Sequence, residues 1–354
     1  MLARESEVAS GQAQKALRRA SRRAFLWPEE AANLLSHDRS LMELQNVGPY
    51  INDVLLRWFD RPPAVPEPPD IRRQFLTLTE AKAALAKKPS WLRSVRGDLQ
   101  MHTTWSDGDA SVSDMADAAV ARGYEYIAIT DHTKGLKIAG GINEKQLEHQ
   151  AVEIAEVNQR VQKQGLTVLR SAELNINPRG EGDMDPGSLR QLDLVLGCFH
   201  SSLRTKDDQT ARYVAALRNP EVHILGHPRG RVYNYRLGLS ADWAQVFGMA
   251  AELDKAVEID GYPDRQDLNI DLLKLAKEAR CRISLGTDSH GAAQLRFMEY
   301  SAAAALIAGI RKDRVLNFMS RNELAHWISG VRERGRAQSP SPPNIGSKSL
   351  LSTS

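Results

Sequence analysis

Between residues 95 and 330, short apolar and β-branched runs alternate with segments whose apolar positions recur at helical spacing. The runs DLQMHT (98–103), YIAITDH (126–132), TVLRSAEL (167–174), LDLVLGCFH (192–200), VHILGHP (222–228), AVEIDG (256–261) and CRISLGTDSH (281–290) predict strands. Helical patterns separate them, among them VSDMADAAVARG (112–123) and LNIDLLKLAKEAR (268–280). Such strand–helix units predict a parallel sheet, either a closed α/β barrel or an open doubly wound one.

The flanks follow other patterns. Residues 11–27 place Leu17, Ala20, Ala24 and Trp27 at helical spacing, with Lys15, Arg18, Arg19, Arg22 and Arg23 on the remaining faces. Read on its own, this is a solvated amphipathic helix. In SLMELQNVGPYINDVLLRWF (40–59) two short helical patterns flank the turn signal NVGP. RPPAVPEPPD (61–70) predicts a stiff, extended connector. RAQSPSPPNIGSKSLLSTS (336–354) has no periodicity and predicts a disordered tail. The chain is therefore expected to divide into a helical module (1–60), a proline-rich linker with a connecting helix (61–94), a large α/β unit (95–335) and the tail (336–354).

Composition narrows the picture only a little. A net charge of +3 over 354 residues does not by itself mark a nucleic-acid binder, so any basic function must be local. The two cysteines, Cys198 and Cys281, lie far apart inside apolar runs and read as reduced core thiols. The N-terminus lacks the apolar stretch of a signal peptide, and SAAAALIAGI (301–310) is too short to span a membrane. The expected location is the cytoplasm.

The ends of the predicted strands carry the chemistry. Six of the seven close on a residue able to bind a metal: His102, His132, Glu173, His200, His227, and the pair Asp288 and His290. A parallel barrel gathers the C-terminal ends of its strands at one rim, where such folds place their chemistry. Any one of these residues could be a hydrogen-bonded structural group. Together, imidazoles and carboxylates packed on an apolar rim would cost several kcal/mol (about the desolvation of a few polar groups) without a cation to compensate them. A multinuclear metal site is expected. His37, His149, His223 and His326 fall outside this phase.

The ordered set DLQMHTTWSDG, AITDH, AEL, FHSS, GHPRGR and GTDSH resembles the PHP (polymerase and histidinol phosphatase) family of metal-dependent phosphoesterases. AVEIDGYPDRQDLN (256–269) and LRFMEYS (295–301) are most similar to the branch at the C-terminus of bacterial family X DNA polymerases. The resemblance implies a distorted, TIM-like (β/α)7 barrel holding up to three divalent ions. It places the ligands on Gln100, His102, Asp107, His132, Glu173, His200, His227, Asp288 and His290. Glu173 would bridge two ions, Asp107 would join His132 and His290 around a third, and Glu173, Asp288 and His290 would be central to catalysis. Asp131 would cap the strand or support the ligands. Most family members have histidine where this chain has Gln100. An amide oxygen is harder than an imidazole and a poorer ligand for zinc, so the site is expected to tilt toward manganese or magnesium; manganese is the favoured ion, with zinc or magnesium as alternatives.

Such a site would activate a water and relieve charge on a phosphoryl group. Arg229 and Arg265 are candidates for holding that phosphate, with surface ion pairs as the alternative, and Lys134 and Tyr262 are further suggestions. Residues 41–59 resemble a helix-hairpin-helix module with Asn46 and Gly48 at its two glycine positions. That resemblance implies contact with a DNA backbone, to which Arg39, Arg57 and the basic helix would add charge. The expected activity is a 3′→5′ exonuclease or 3′-end-trimming reaction in DNA repair. GDMDPGS (182–188) reads as a loop, and no polymerase activity is expected. The alternatives are a phosphatase of a small metabolite such as histidinol phosphate, and a DNA-binding protein with a structural metal site.

Overall fold

The computed structural model describes residues 1–338. Seven parallel strands hydrogen-bond in sequential order: β1 (Gly97–Asp98), β2 (Tyr126–Ile129), β3 (Thr167–Asn175), β4 (Leu194–Cys198), β5 (Ile224–Leu225), β6 (Ala256–Asp260) and β7 (Arg282–Gly286). The sheet curls into a nearly closed barrel wrapped by helices. Most strands are shorter than their apolar runs suggest. Except in β3, which contains Glu173, the chain leaves the ladder before the ligand-type residue, which then sits on the loop just beyond.

Polar groups complete the seam between β1 and β7. At the upper end Met101 pairs with Ser289, His102 N donates to Ser289 O (2.7 Å) and Asp288 N to Gln100 O (3.1 Å). At mid-height the buried Asp98 carboxylate accepts from Gln100 N (3.3 Å), Thr287 N (3.2 Å) and Thr287 Oγ1 (2.6 Å). Lower down, buried Asn317 fills the gap. Its Nδ2 donates to Gly97 O (2.9 Å) and Leu285 O (2.8 Å), and its Oδ1 accepts from Leu285 N (2.7 Å). A single amide thus substitutes for missing strand pairs.

The helices start where side chains can satisfy their first N–H groups. Val112–Ala121 opens on a capping box of Ser111 and Asp114, Glu144–Val161 on one of Asn143 and Gln146, and Ile270–Glu278 on Asn269. The connecting helix, Leu78–Ala86, is no linker. It packs on Met298–Ala308, whose run of buried alanines permits close approach, and Leu78, Ala81, Leu85 and Trp91 join the barrel's main core. Helix Arg321–Gln338 continues past the start of the expected tail, and residues 339–354 lie outside the described residues.

The N-terminal helices Leu2–Val8, Gly11–Arg23, Ala31–Ser36 and Pro49–Asp60 enclose a core of their own, with Leu17, Leu34, Leu41, Ile51 and Leu55 buried. Helix Gly11–Arg23 stops four residues short of the expected 11–27 and tightens into a 3₁₀ turn at Ala24–Leu26. The first helical pattern of the hairpin is likewise one 3₁₀ turn, Leu41–Glu43. Asn46 adopts the left-handed conformation (φ 63°), whereas Gly48 is extended (φ −89°) and precedes Pro49 at the helix start. The module is seated on the barrel. Phe25 packs against Phe75 and Tyr233, with ring centroids 5.9 and 4.8 Å away, and its carbonyl accepts from the buried Tyr300 hydroxyl. Among the described residues no helix is long and apolar enough to cross a membrane.

Candidate metal centre

Glu173, near the end of β3 and fully buried, is the hub. Its Oε1 lies 2.7 Å from His200 Nε2, 2.9 Å from His227 Nε2 and 3.6 Å from His132 Nδ1. Its Oε2 accepts from Gln100 Nε2 (2.9 Å) and lies 3.3 Å from His102 Nε2. His102 Nε2 is also 3.0 Å from Asp288 Oδ1. On the solvent side, Asp107 Oδ1 lies 3.5 Å from both His132 Nε2 and His290 Nε2. All nine residues expected to ligate thus converge on one pocket at the barrel rim.

Ligand atoms within 4.8 Å of one another form four overlapping groups: His102, Asp107, His132 and His290; His132, Glu173 and His200; Glu173, Cys198 and His227; His102, Glu173 and Asp288. The donor chemistry fits divalent cations. His102 Nδ1, His132 Nδ1 and Gln100 Oε1 are buried with no hydrogen-bond partner, an arrangement that is costly unless something else engages them. Burial pushes the His132 imidazole down to about 3, against the pull of Glu173, so it presents lone pairs. Burial opposes ionisation of Glu173 and Asp288 as well. His132 and His227 nonetheless hold Glu173 well below the usual carboxylate range, and Arg265 and His102 do the same for Asp288. Two of the positions are strained, since Asp288 (φ 52°) and His227 (φ 21°) have positive φ without being glycine.

Asp131 faces away from the hub. It accepts from Thr103 N (2.8 Å), Thr103 Oγ1 (2.6 Å), Gln150 Nε2 (2.6 Å) and the Ser106 hydroxyl, pinning the loop that carries Asp107.

The suggested substrate and DNA contacts divide. Arg265 pairs with Asp288, and the Tyr262 ring stands edge-on to His290 at 6.2 Å, so both border the pocket. Lys134 is instead engaged by Glu144 (2.6 Å), and the Arg229 guanidinium donates to the carbonyls of Leu237 (3.0 Å) and Leu239 (3.3 Å). Each cation has a nearer partner than the pocket. Arg39 is likewise clamped between Glu29 and Glu43, while Arg57 is exposed and its guanidinium donates to Asp53 O (3.2 Å). Those acidic neighbours compete with any phosphate for Arg39.

Sequence reasoning missed three groups. Glu258 and Asp260 of β6 are fully buried, and burial raises both, reinforced by the charge of Asp260 on Glu258 and by that of Asp288 on Asp260. Glu258 Oε2 accepts from His227 N (2.7 Å). Its Oε1 crowds Gly286, where a Cβ would sit 2.1 Å from it and 3.0 Å from Gln100 Oε1, so only glycine fits. Acids at i and i+2 in an otherwise apolar strand were the available signal. Asn175 Oδ1 meets His200 Nδ1 at 3.1 Å. Cys198, read as a core thiol, is buried but also belongs to the Glu173–His227 group.

Residues 98–308 match the family described as the PHP domain. The DNA polymerase/3′-5′ exonuclease PolX of Bacillus subtilis is 35% identical over 67% of this chain, which spans 41% of that protein's length. A probable phosphatase of Thermoanaerobacter is 27% identical over 62% of this chain and 89% of its own. Among solved structures, histidinol phosphate phosphatase of Lactococcus lactis, in complex with zinc, L-histidinol and phosphate, aligns with a TM-score of 0.44. It is 19% identical over 61% of this chain and 95% of its own.

Proposed function

This chain belongs to the PHP domain family, and from that premise we propose that it is a metal-dependent hydrolase of DNA phosphodiesters, trimming 3′ ends in the manner of a 3′→5′ exonuclease in DNA repair. The observation that carries the nucleic-acid part is the helical module seated on the barrel through Phe25, Tyr233 and Tyr300. The basic helix ends at Arg23, two residues before Phe25, so its end adjoins the barrel. A strand held by the hairpin and this helix would have its end near Glu173.

Bound divalent cations supply a water of lowered pKa and charge compensation for the transferring phosphoryl group. The chain's own residues hold and orient. Gln100, His102, Asp107, His132, Glu173, His200, His227, Asp288 and His290 form the cage. Glu258 fixes the backbone of His227, Asp131 fixes the loop of Asp107, and Arg265 is placed to contact a phosphate oxygen beside Asp288. Manganese is our choice of metal. The oxygen donors of Gln100, Asp107, Glu173 and Asp288 are hard, and burial holds the Cys198 thiol well above its usual range, against its serving as a soft thiolate. Cys198 and Cys281 are both free and buried, which suits a reducing cytoplasm. No polymerase role falls to GDMDPGS. Asp183 accepts from Thr133 Oγ1 (2.6 Å) and Asp185 caps a short helix.

The second reading, a phosphatase of a small metabolite, draws on the match along nearly all of a probable phosphatase. The deciding assay supplies manganese with a 3′-labelled oligonucleotide beside histidinol phosphate. Turnover of the oligonucleotide supports the first reading. Turnover of histidinol phosphate alone overturns it.

A further inference from the structure

Next to the cation cage the rim carries an aromatic group that the proposed chemistry does not use. Residues 232–236 form a tight hairpin in which Val232 N donates to Arg236 O (2.8 Å) and Arg236 N to Val232 O (2.9 Å). Asn234 turns it in the left-handed conformation (φ 53°). The hairpin is pinned from two sides, by Tyr233 N to Asp264 O (2.7 Å) and by Asn234 N to Ile71 O (3.1 Å). Its tip holds the Tyr235 ring 55% exposed, an unusual position for a phenol on a fixed loop.

One face of that ring is already taken. The Arg204 guanidinium, four residues beyond His200, lies 4.5 Å from the ring centroid and its Nη1 reaches Tyr235 O (3.5 Å). Arg236 follows Tyr235 in this hairpin, and the Asp264 carbonyl that pins the hairpin is adjacent in sequence to Arg265 of the pocket. Burial and then the charges of Arg265 and Arg204 lower the pKa of Arg236. Among the described residues neither Arg204 nor Arg236 has a carboxylate partner, whereas Arg265 is joined to Asp288. A planar stack beside uncompensated positive charge matches a base attached to a phosphate. A small polar phosphate ester would give the exposed ring nothing to cover.

We propose that Tyr235, stacked on Arg204, is the platform for the base of the terminal nucleotide of a single strand whose scissile phosphate lies at the cage, with Arg236 neutralising the backbone between them. The assignment rests on the phosphodiesterase reading and adds the site that distinguishes a nucleic-acid end from a metabolite.

The test uses the full chain loaded with manganese and two substrates, a single-stranded oligonucleotide and bis(p-nitrophenyl) phosphate. Tyr235→Ala is expected to raise KM for the oligonucleotide roughly tenfold while kcat moves little, so the ratio of the two substrates' kcat/KM falls by a similar factor; Tyr235→Phe restores it. An oligonucleotide ending in 2-aminopurine behind a phosphorothioate linkage is expected to be quenched by the native protein and less so by Tyr235→Ala. Equal KM and equal quenching in the two proteins would overturn the platform and leave the nuclease reading standing. If the native protein turns over only the small ester, both fall.

Discussion

His102 Nε2 and Asp288 Oδ1 lie 3.0 Å apart across the barrel seam, so the first and last strand units share one buried polar pair. Asp288 also carries Arg265 and adopts a left-handed backbone. The carboxylate therefore contributes charge that an amide cannot replace. Asp288→Asn is expected to lower phosphodiester hydrolysis by about a hundredfold or more. Oligonucleotide binding through residues 11–59 is expected to survive. Steady-state kinetics beside a filter-binding isotherm measure the two, and joint loss would show that cage and module are not separable.

The partnerless nitrogens of His102 and His132 imply that the barrel is less stable without its cations. Saturating manganese, at about a hundred times its dissociation constant, is expected to add about 2.7 kcal/mol and to raise Tm by several degrees. Chelation reverses the gain, and His132→Ala reduces it. Differential scanning calorimetry before and after dialysis against chelator follows the change. A Tm that ignores both treatments would rule out the cage.

His223 has a different part from the rim histidines. Its Nδ1 accepts from Val195 N (3.2 Å), its Nε2 is buried without a partner, and burial pushes its pKa down to about 3. The unfolded chain binds a proton at this ring once the pH drops below about 6.5, while the folded chain resists until about 3. Stability is thus undiminished above the higher value and falls toward the lower one by about 1.4 kcal/mol per pH unit. His223→Gln is expected to flatten this part of the acid limb in urea titrations between pH 7 and 4.5. Parallel curves for the two proteins would refute the assignment.

Asn317 makes its seam bonds while fully buried from solvent. Asn317→Ala is expected to cost about 3 kcal/mol, and Asn317→Asp to be costly as well because a carboxylate cannot donate to Gly97 O and Leu285 O. Urea midpoints at constant m-value provide the measurement.

Arg22 and Arg23 are exposed in the last turn of the basic helix. If both meet phosphates, replacing them with alanine lowers the slope of log affinity against log salt by roughly two on double-stranded DNA, or somewhat less on single strands. An unchanged slope would assign the binding elsewhere.

What the sequence made legible was phase. Alternation along a strand and the common rim of a parallel barrel bring residues as distant as His102 and His290 together, and both can be read from a list of strand ends. Partner choice could not be read in this way. Arg39, Arg229 and Lys134 look like free cations until folding supplies Glu29, the carbonyls of Leu237 and Leu239, and Glu144. Glu258 was hidden for the opposite reason. Its strand ends in no histidine, and its effect on the centre runs through the backbone of His227. Leu78–Ala86 follows a proline run and reads as a tether, yet the alanine surface of Met298–Ala308 draws it into the wall.

Because the amide that seals the seam comes from residue 317, the barrel is a ring whose clasp is made last. As the chain emerges from the ribosome, Gln100 and His102 appear early and wait beside an open edge until the seventh unit and its clasp arrive. A nascent chain halted before that point lacks Asp288 and His290, and the cations it could capture there would meet only part of their final set of donors.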